Sequence, residues 1–414
     1  GDNMKILEVC NSKMLFEENT GKWLVLEDEG YEIYKDNYQK EIIESEEIKE
    51  FIEEVNGYLN QKNLIDTKEK GLTVLLTNQC NLECIHCFYS SSSCKPKMLE
   101  FNEEYCDFFE NYVKDGLKWV CFTGGEPLLN PQFSDFINHA AKYDVNISVM
   151  TNGILIKDEI ADLLKKYNIY VQVSLDGTGS TYEKVRKNGS YKRAIEGIKK
   201  LTDSGVVTDI SFVPSRITIP DFDNVVNVAK KLHVNLLHMP FLEKYGRAED
   251  NYDLLEITDD ELKIFLGKII EDYYSGKFGD VKVGFIENFK NQLLFPQIRE
   301  SCKACQELAL GVDYTNSIYP CSELIMDEYK IGHTNDSLEV IRNNFRKMIC
   351  NLSNVSVNKV KKCRECTFKM LCGGGCRVQA VLTGGLYTED KNCEVMQYLY
   401  MKMLEKIVEL DINE

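Results

Sequence analysis

The sequence has little that would mark a membrane-spanning, fibrous or disordered chain. None of its 414 residues belongs to an apolar run near the ~20 residues that cross a bilayer. Only 8 residues are proline, whereas 43% are hydrophobic and 28% are charged, which is typical of globular proteins. We therefore expect no membrane span and a globular protein of two or three domains, at about 150 residues per domain.

Positive charge is also scarce. The 49 lysine and arginine residues are outnumbered by 66 acidic ones, which gives a net charge of −17. Such a chain repels phosphate backbones, so nucleic acid is not an expected partner, whereas a cationic peptide would be attracted. We interpret the three residues before Met4 as a cloning remnant ahead of the native start, and no secretory signal segment follows. The expected location is the cytoplasm.

Cysteine, in contrast, is abundant and unevenly placed. Of the 16 cysteines, seven lie before residue 122, none lies between Cys121 and Cys302, and nine lie in the final 113 residues. In a reducing cytoplasm such a number indicates metal or redox chemistry more than disulfides. Thiols that only filled a hydrophobic core would not cluster in this way.

The first 68 residues predict a small mixed α+β domain. Short apolar runs at residues 5–10, 14–16 and 23–26 predict a small sheet. One helix should follow, because Ser45 is a suitable N-cap and apolar residues recur at helical spacing from residue 48 to residue 59. These elements form either a small docking domain or an extension that packs on the main domain.

Predicted strands and helices alternate over residues 72–290, and this alternation indicates a parallel α/β array. The array is either an open doubly wound sheet or a barrel, and both place their sites at the carboxyl ends of the strands. A cysteine-rich domain with little periodicity is expected at residues 300–396 and a C-terminal helix at 397–414. The candidate strands are 73–77, 120–123, 147–151, 170–175, 209–213 and 234–239, with helices at 102–114, 158–166 and 194–204 among them.

Three cysteines directly after the first of these strands give the strongest chemical signal. Cys80, Cys84 and Cys87 form the pattern CxxxCxxC. A closed zinc site needs four ligands, and no fourth cysteine or histidine lies at the usual spacing, while His86 is poorly placed between two of the thiols. Three thiolates on one loop suit a four-iron cluster whose remaining iron stays open to a small molecule.

This loop resembles the defining motif of the radical SAM enzymes, with His86 where Tyr or Phe is usual. The segment from Gly124 to Pro127 resembles the family's GGEP motif, which contacts the amino group of S-adenosylmethionine (SAM). The resemblance implies a partial (β/α)6 barrel and reductive cleavage of SAM to a 5′-deoxyadenosyl radical, with the electron supplied by a flavodoxin or ferredoxin type of donor. The residues that it implies for SAM binding are His86, Gly124, Gly125, Glu126, Pro127, Thr151, Asn152, Ser174, Asp176 and Arg186.

The C-terminal cysteines suffice for two further four-iron clusters or two tetrahedral zinc sites. Their spacing resembles the SPASM domain, an auxiliary-cluster extension of radical SAM enzymes that modify peptides and proteins, so three clusters are expected in all. Cys302 either completes the inner cluster or leaves it with an open iron. Asn316 replaces the usual glycine, and asparagine tolerates the left-handed conformation. By this resemblance Cys363, Cys366, Cys372 and Cys393 hold the outer cluster, and Cys305, Cys321 and Cys376 hold the inner one.

Within the family, two features favour the maturases of ribosomally made (RiPP) precursor peptides. Sulfatase-maturating relatives usually begin close to the cysteine loop and carry an acidic residue after the equivalent of Cys321. Here 79 residues precede the loop and Ser322 follows that cysteine. We therefore expect a thioether or similar crosslink, with residues 1–68 adding a leader peptide to a sheet edge. Oxidation of Cys or Ser to formylglycine, peptide epimerisation and a non-catalytic iron-sulfur electron carrier remain alternatives.

No motif singles out an acid or base for the later steps. Glu323 and Asp313 are candidates by position, and Cys94 is a candidate thiol because it lies in a polar loop soon after the cluster motif. Cys121 has apolar neighbours and is expected in the core. His238 is expected to be a hydrogen-bonded structural histidine.

Overall fold

A computed structural model describes residues 3–40, 42–62, 69–92, 95–306, 308–352 and 355–410. The strands are β1 Met4–Val9, β2 Ser12–Glu17, β3 Trp23–Leu26, β4 Lys70–Leu75, β5 Leu117–Thr123, β6 Asn146–Thr151, β7 Tyr170–Ser174, β8 Thr208–Ser211, β9 Leu236–His238, β10 Lys282–Val283, β11 Ala309–Val312, β12 Ser317–Tyr319 and β13 Gly332–His333. The α-helices are α1 Asp28–Asn37, α2 Glu46–Asn60, α3 Glu103–Lys114, α4 Phe133–Ala140, α5 Asp158–Lys166, α6 Gly179–Val185, α7 Tyr191–Asp203, α8 Phe222–Lys231, α9 Arg247–Asp250, α10 Tyr252–Leu255, α11 Asp259–Tyr274, α12 Gly284–Leu294, α13 Leu338–Leu352, α14 Lys361–Arg364, α15 Lys369–Cys372, α16 Arg377–Thr383 and α17 Cys393–Glu409.

The chain divides into two units. The central unit comprises residues 68–285 and 303–353, and the terminal unit comprises residues 1–67, 286–302 and 354–414. The predicted boundary after residue 68 thus lies next to a boundary between units, whereas the predicted domain at 300–396 is distributed over both. Among the helices of the described ranges, none is long and apolar enough to cross a membrane.

One sheet forms the centre of the central unit. Strands β4 to β9 lie in chain order and run parallel to one another. The strand order of a doubly wound sheet reverses, and the order of this sheet does not. Of the two folds that the sequence allowed, a doubly wound open sheet and a barrel, the structure is therefore a partial barrel. The predicted fold class is confirmed. Two further strands extend the parallel part, because β10 pairs with β9 and β11 pairs with β4.

The parallel strands have one face covered by helices and one face that we call the inner face. Phe122 of β5 is fully buried and its ring lies 6.2 Å from that of Phe136 on α4, so its strand neighbours point the other way. Interstrand register extends this assignment from strand to strand. Cys121, expected in the core, lies instead on the inner face and is partly exposed. The inner face carries Cys121, Ser148, Met150, Tyr170, Gln172, Ser174, Asp209, Ser211 and His238.

A three-stranded antiparallel sheet, in the order β1-β2-β3, opens the terminal unit. Helices α1 and α2 pack on it around Leu15, Tyr34 and Leu59. The backbone N–H of Ile48 donates to the Ser45 hydroxyl (3.4 Å), as the predicted N-cap requires. The sequence predicted one helix here, which is wrong: α1 was missed because its N-terminus has no side-chain cap and its first turn contains a glycine.

Candidate functional site

The cysteine loop that follows β4 packs tightly against the segment that follows β5. The N–H of Gly125 donates to the Thr77 carbonyl (2.7 Å), and the N–H of Glu126 donates to the Gln79 carbonyl (2.8 Å). A Cβ at Gly124 would lie 2.5 Å from the Thr77 carbonyl oxygen, and one at Gly125 would lie 2.2 Å from that of Gln79. Both glycines are therefore required by the approach of two backbone segments.

Arg247 fixes the cysteine loop from a distant part of the chain. Its Nε donates to the Cys84 carbonyl (2.8 Å), its Nη1 to the Ser91 carbonyl (2.6 Å) and its backbone N–H to the Cys87 carbonyl (3.0 Å). Gly246 has a φ of +61° and a Cβ there would lie 2.2 Å from the Phe88 carbonyl oxygen. These contacts could not be predicted from the sequence, because nothing local marks an arginine more than 150 residues away as a partner of the loop.

The three thiols of the loop lie within electrostatic reach of one another in a largely buried setting. Burial raises the pKa of Cys80 to about 12. The hydrogen bond from the Leu82 backbone lowers this pKa, whereas the nearby Cys84, Glu126 and Cys87 raise it. Burial also raises the pKa of Cys84, whose sulfur accepts a hydrogen bond from Arg186 Nη1 (3.6 Å). Without a metal, Cys80 and Cys84 are therefore protonated near neutral pH, and metal ligation would deprotonate them.

Glu126 lies at the ends of β5 and β6 and is completely buried. Its Oε1 accepts hydrogen bonds from the Thr151 hydroxyl (2.7 Å) and the Leu128 N–H (3.2 Å), and its Oε2 accepts one from the Asn152 N–H (2.8 Å). Burial raises its pKa to about 7 despite these bonds. The Asn152 amide also donates to Asn81 Oδ1 (2.7 Å), which links Glu126 to the cysteine loop.

Three of the residues predicted to bind SAM also bind one another. Asp176 is completely buried, and its Oδ2 accepts hydrogen bonds from Arg186 Nε (2.7 Å) and lies 3.1 Å from His86 Nε2. Its Oδ1 accepts one from the Val213 N–H (2.7 Å). Burial alone would raise the Asp176 pKa, but the charges of Arg186 and His86 outweigh it and hold the pKa well below its usual range. This network extends to Cys84 through Arg186.

The candidates for later steps have different surroundings. Tyr89, two residues after the last loop cysteine, donates to the Ser322 carbonyl (3.0 Å), and burial followed by the charge of Glu323 raises its pKa well above the usual value. Glu323 therefore lies near the cysteine loop. The Asp313 carboxylate instead accepts hydrogen bonds from the N–H of Thr315, in the turn before β12 (2.8 Å), and from the N–H of Ser317, the first residue of β12 (3.1 Å). Cys94 lies outside the described residues.

Comparison with known proteins identifies the domain that holds this site. The Radical SAM superfamily model matches residues 74–229, which include the cysteine loop, Glu126 and Asp176. The chain therefore carries a radical SAM domain. The resemblance inferred from the motifs is confirmed, and with it a [4Fe-4S] cluster and SAM as the cofactors that the family implies.

Two curated relatives and one solved structure locate this radical SAM protein more closely. The chain is 27% identical over 370 residues to a cysteine-type anaerobic sulfatase-maturating enzyme of Clostridium novyi, which covers 82% of this chain and 96% of the relative. It is 26% identical over 342 residues to the mycofactocin maturase MftC of Mycobacterium tuberculosis, covering 78% and 83%. The structure of Streptococcus suis SuiB bound to precursor peptide SuiA has a similar fold, with a TM-score of 0.61 at 13% identity over 95% of this chain and 99% of SuiB. Such relatives confirm that the chain is an enzyme.

Beyond the radical SAM domain, four cysteines of the terminal unit line one cavity together with Gly374, Asp390 and Tyr400. Four thiols are a complete ligand set for a four-iron cluster. Among the described residues, no three His, Cys, Asp or Glu side chains are close enough to one another to hold a single metal ion. The four cysteines are those predicted for the outer cluster, Cys363, Cys366, Cys372 and Cys393.

The cysteines predicted for the inner cluster are divided between the units. Cys302 and Cys376 belong to the terminal unit, and Cys305 and Cys321 belong to the central unit. Asn316, in the turn that leads to Cys321, has a φ of +62°, so the tolerance of asparagine for this conformation is used as predicted.

Proposed function

We propose that this radical SAM enzyme matures a ribosomally synthesised precursor peptide by forming a thioether or similar crosslink. The observation that carries the proposal is the three-thiol loop held against Glu126 at the ends of parallel strands. A four-iron cluster on Cys80, Cys84 and Cys87 would supply the electron that cleaves bound SAM to a radical able to abstract hydrogen. Relatives named as maturases, such as MftC, support peptide chemistry.

For SAM binding, we propose that the residues divide into direct contacts and a supporting network. Glu126 accepts a hydrogen bond from the SAM amino group, and Thr151 and Asn152 orient that carboxylate. Ser174, at the end of β7 on the inner face, contacts the ribose. The remaining predicted residues support the site without contacting SAM. Gly124, Gly125 and Pro127 belong to the segment after β5 that packs against the cysteine loop. The side chains of His86, Asp176 and Arg186 form the buried network at Cys84.

Two auxiliary clusters complete the proposed cofactor set. The outer one is held by the four cysteines that line the cavity of the terminal unit. The inner one is held by Cys305, Cys321 and Cys376, with Cys302 as its fourth ligand. These clusters would accept the second electron that crosslink formation releases and pass it to a flavodoxin or ferredoxin type of partner. Glu323 is retained as a candidate acid or base because it lies near Tyr89.

Residues 1–68 supply the proposed leader-binding module. Strand β3 is an edge strand of the three-stranded sheet among the described residues, so its backbone can pair with an added strand. Lys22, Trp23 and Val25 line a groove with Tyr58 and Pro296 of the same unit. In structure, SuiB matches 95% of this chain, whereas anSMEcpe matches 82% with the higher TM-score (0.67 against 0.61). The wider coverage by SuiB favours the peptide branch. The cytoplasm remains the proposed location, because the thiol sites require reducing conditions.

Mass spectrometry of a precursor peptide co-expressed from the neighbouring gene tests this function directly. A thioether or carbon–carbon crosslink removes two hydrogen atoms, conversion of Cys to formylglycine removes the sulfur, and epimerisation leaves the mass unchanged. The second candidate, formylglycine formation, is favoured by the relative from Clostridium novyi. An unmodified peptide together with no 5′-deoxyadenosine after anaerobic reduction would contradict the proposal altogether.

Iron content tests the cofactor set separately. Anaerobic reconstitution should load about twelve irons, from three clusters of four. A value near eight would remove one auxiliary cluster, and a value near four would mean that the C-terminal cysteines do not bind clusters.

A further inference from the structure

A second polar group lies on the inner face of the parallel strands, away from the cysteine loop in the strand order. Asp209 of β8 is completely buried, and its carboxylate accepts hydrogen bonds from His238 Nε2 (2.8 Å) and Asn235 Nδ2 (2.9 Å). The hydroxyl oxygen of Tyr170 lies 3.2 Å from the same His238 nitrogen. The His238 side chain is 37% exposed, so one end of this group is anchored and the other is open.

The partners of His238 decide which of its nitrogens is basic. A carboxylate only accepts hydrogen bonds, so the imidazole nitrogen that faces Asp209 carries the hydrogen. The lone pair is then on Nδ1, which has no hydrogen-bond partner within the described ranges. Gly284 keeps this nitrogen uncrowded, because a Cβ at that position would lie 3.3 Å from it. Asp209 thus orients the ring, and in its neutral form Nδ1 is the nitrogen that can accept a proton.

The position of His238 suits a group that meets the substrate. It is the last residue of β9 and pairs in register with Ser211, which pairs with Ser174 at the end of β7. Substrates of parallel α/β folds bind at these carboxyl ends of the strands. The loop cysteines and Glu126 follow β4 and β5, at the start of the same run of strands, so the far end, where His238 lies, is left for the molecule that the radical attacks.

We propose that His238 is a general base that accepts the proton of a cysteine thiol of the precursor peptide, and that Asp209 and Tyr170 are its positioning residues. The proposal rests on the crosslinking function proposed above. In this step the S–H bond breaks, an N–H bond forms at Nδ1 and the electron pair stays on sulfur as thiolate. No electron is transferred, and the Asp209 carboxylate stabilises the imidazolium that results.

The step is physically reasonable at neutral pH. An ordinary thiol has a pKa of about 8.5 and an ordinary imidazole one of about 6.5, so proton transfer between them is unfavourable by about two pKa units. The Asp209 carboxylate reduces this difference, because it stabilises the imidazolium. A thiolate is the form of cysteine that attacks or binds metal.

The test compares SAM cleavage and crosslinking in the reconstituted holoenzyme with the co-expressed precursor peptide. His238→Gln keeps an amide donor for Asp209 but has no basic nitrogen, and we expect it to lower the rate of crosslinking by about 10²- to 10⁴-fold. Iron content and 5′-deoxyadenosine formation should stay near wild type, so that SAM is cleaved without product. In His238→Ala, added imidazole should restore part of the crosslinking.

Controls separate this inference from the function on which it rests. His233→Asn changes an exposed histidine in a left-handed position and should leave both measurements unchanged. If wild type yields no crosslink, the proposed function itself is wrong. If wild type crosslinks and His238→Gln does so equally well, the base is another residue. Parallel loss of iron and SAM cleavage in both His238 variants, without imidazole rescue, would assign His238 a structural role only.

Discussion

The two cysteine sites are supported in different ways. The loop of the central unit is fixed by groups that need no metal: Arg247 binds its carbonyls, and Arg186 and Asn152 reach two of its sulfurs (3.6 and 3.9 Å). At the cavity of the terminal unit, Cys363 and Cys372 lie on the four-residue helices α14 and α15, Cys366 lies between these helices, and Cys393 begins α17. Three consecutive glycines with positive φ follow α15. Such short helices have little stability of their own.

The two cysteine sites also differ in the size of the hydrophobic core on which they pack. In the terminal unit Cys363 is itself a member of a small hydrophobic cluster with Val357, Val360 and Met370. In the central unit the loop cysteines adjoin strands with fully buried side chains such as Val74 and Phe122. We infer that the first site is organised by the protein before any cluster binds, whereas the second depends on its cluster for its shape, as small metal domains do.

Matched cysteine replacements should give the largest effect and would break this comparison if it is wrong. Replacing Cys80, Cys84 and Cys87 by alanine should remove about four of twelve irons and abolish 5′-deoxyadenosine formation while the central unit stays folded. Replacing Cys363 and Cys372 should also remove about four irons, but it should make the C-terminal residues sensitive to protease. Iron assays and limited proteolysis measure both. Equal protease resistance in the two variants would show that both sites are organised without metal.

Breaking the buried ion pair near Cys84 should have the next largest effect. Asp176→Asn leaves the Arg186 guanidinium buried without its counter-charge, and we expect it to destabilise the central unit by about 3–5 kcal/mol. The double variant Asp176→Asn with Arg186→Met should recover part of that loss, because no charge remains unpaired. Denaturant unfolding of the metal-free protein measures both variants. A loss below about 1 kcal/mol in the single variant would mean that this network does not organise the loop.

The smallest expected effect is a change in how stability depends on pH. Burial raises the pKa of Glu126 from 4.5 to about 7, so the folded protein holds this proton more tightly than the unfolded chain does. The resulting stabilisation is complete below pH 4.5 and is lost as the pH rises through 7. Between pH 5 and pH 8, wild type should lose about 2–3 kcal/mol that Glu126→Gln does not lose.

Unfolding of metal-free protein at both pH values, without SAM, checks this difference. Other titrating groups affect both proteins alike. The quantity to compare is therefore the difference in the free energy of unfolding between wild type and Glu126→Gln, at pH 5 and at pH 8. Thr151→Val is a useful companion, because it removes one hydrogen bond to Glu126 and should raise the carboxyl pKa further. If this difference in the free energy of unfolding is the same at both pH values, Glu126 does not change its protonation state between pH 5 and pH 8.

Much of the central sheet could be predicted because the residue pattern of each strand is contained within a few neighbouring residues. Strands such as β7 alternate fully buried valines with partly exposed polar residues, and the motif at each strand end marks its carboxyl end. Strand β11 could not be predicted as a barrel strand, since its pairing with β4 joins residues more than 230 positions apart. The site shows the same limit. Spacing placed Asp176 and Arg186 at the correct edge, but it did not reveal that they bind each other.

His238 shows where a correct expectation was incomplete. It was expected to be a hydrogen-bonded histidine, and its bond to Asp209 confirms this. The sequence could not predict the orientation of the His238 side chain. Strand register places this side chain on the inner face, and the hydrogen bond to Asp209 engages Nε2 and leaves Nδ1. Arg247 is a similar case, since arginines that bind carbonyls carry no motif.

The pairing of β11 with β4 has a consequence for synthesis on the ribosome. Gly71 pairs with Ala309, so the partner for that edge of β4 emerges 238 residues later, which at about 5–20 residues per second is a delay of roughly 10–50 s. During that interval the nascent barrel exposes the backbone of the strand that leads into the first three cysteines. An exposed edge is prone to wrong pairing. Chaperone binding or slow cluster insertion would therefore be most useful in that interval, before Cys363, Cys366, Cys372 and Cys393 have been translated.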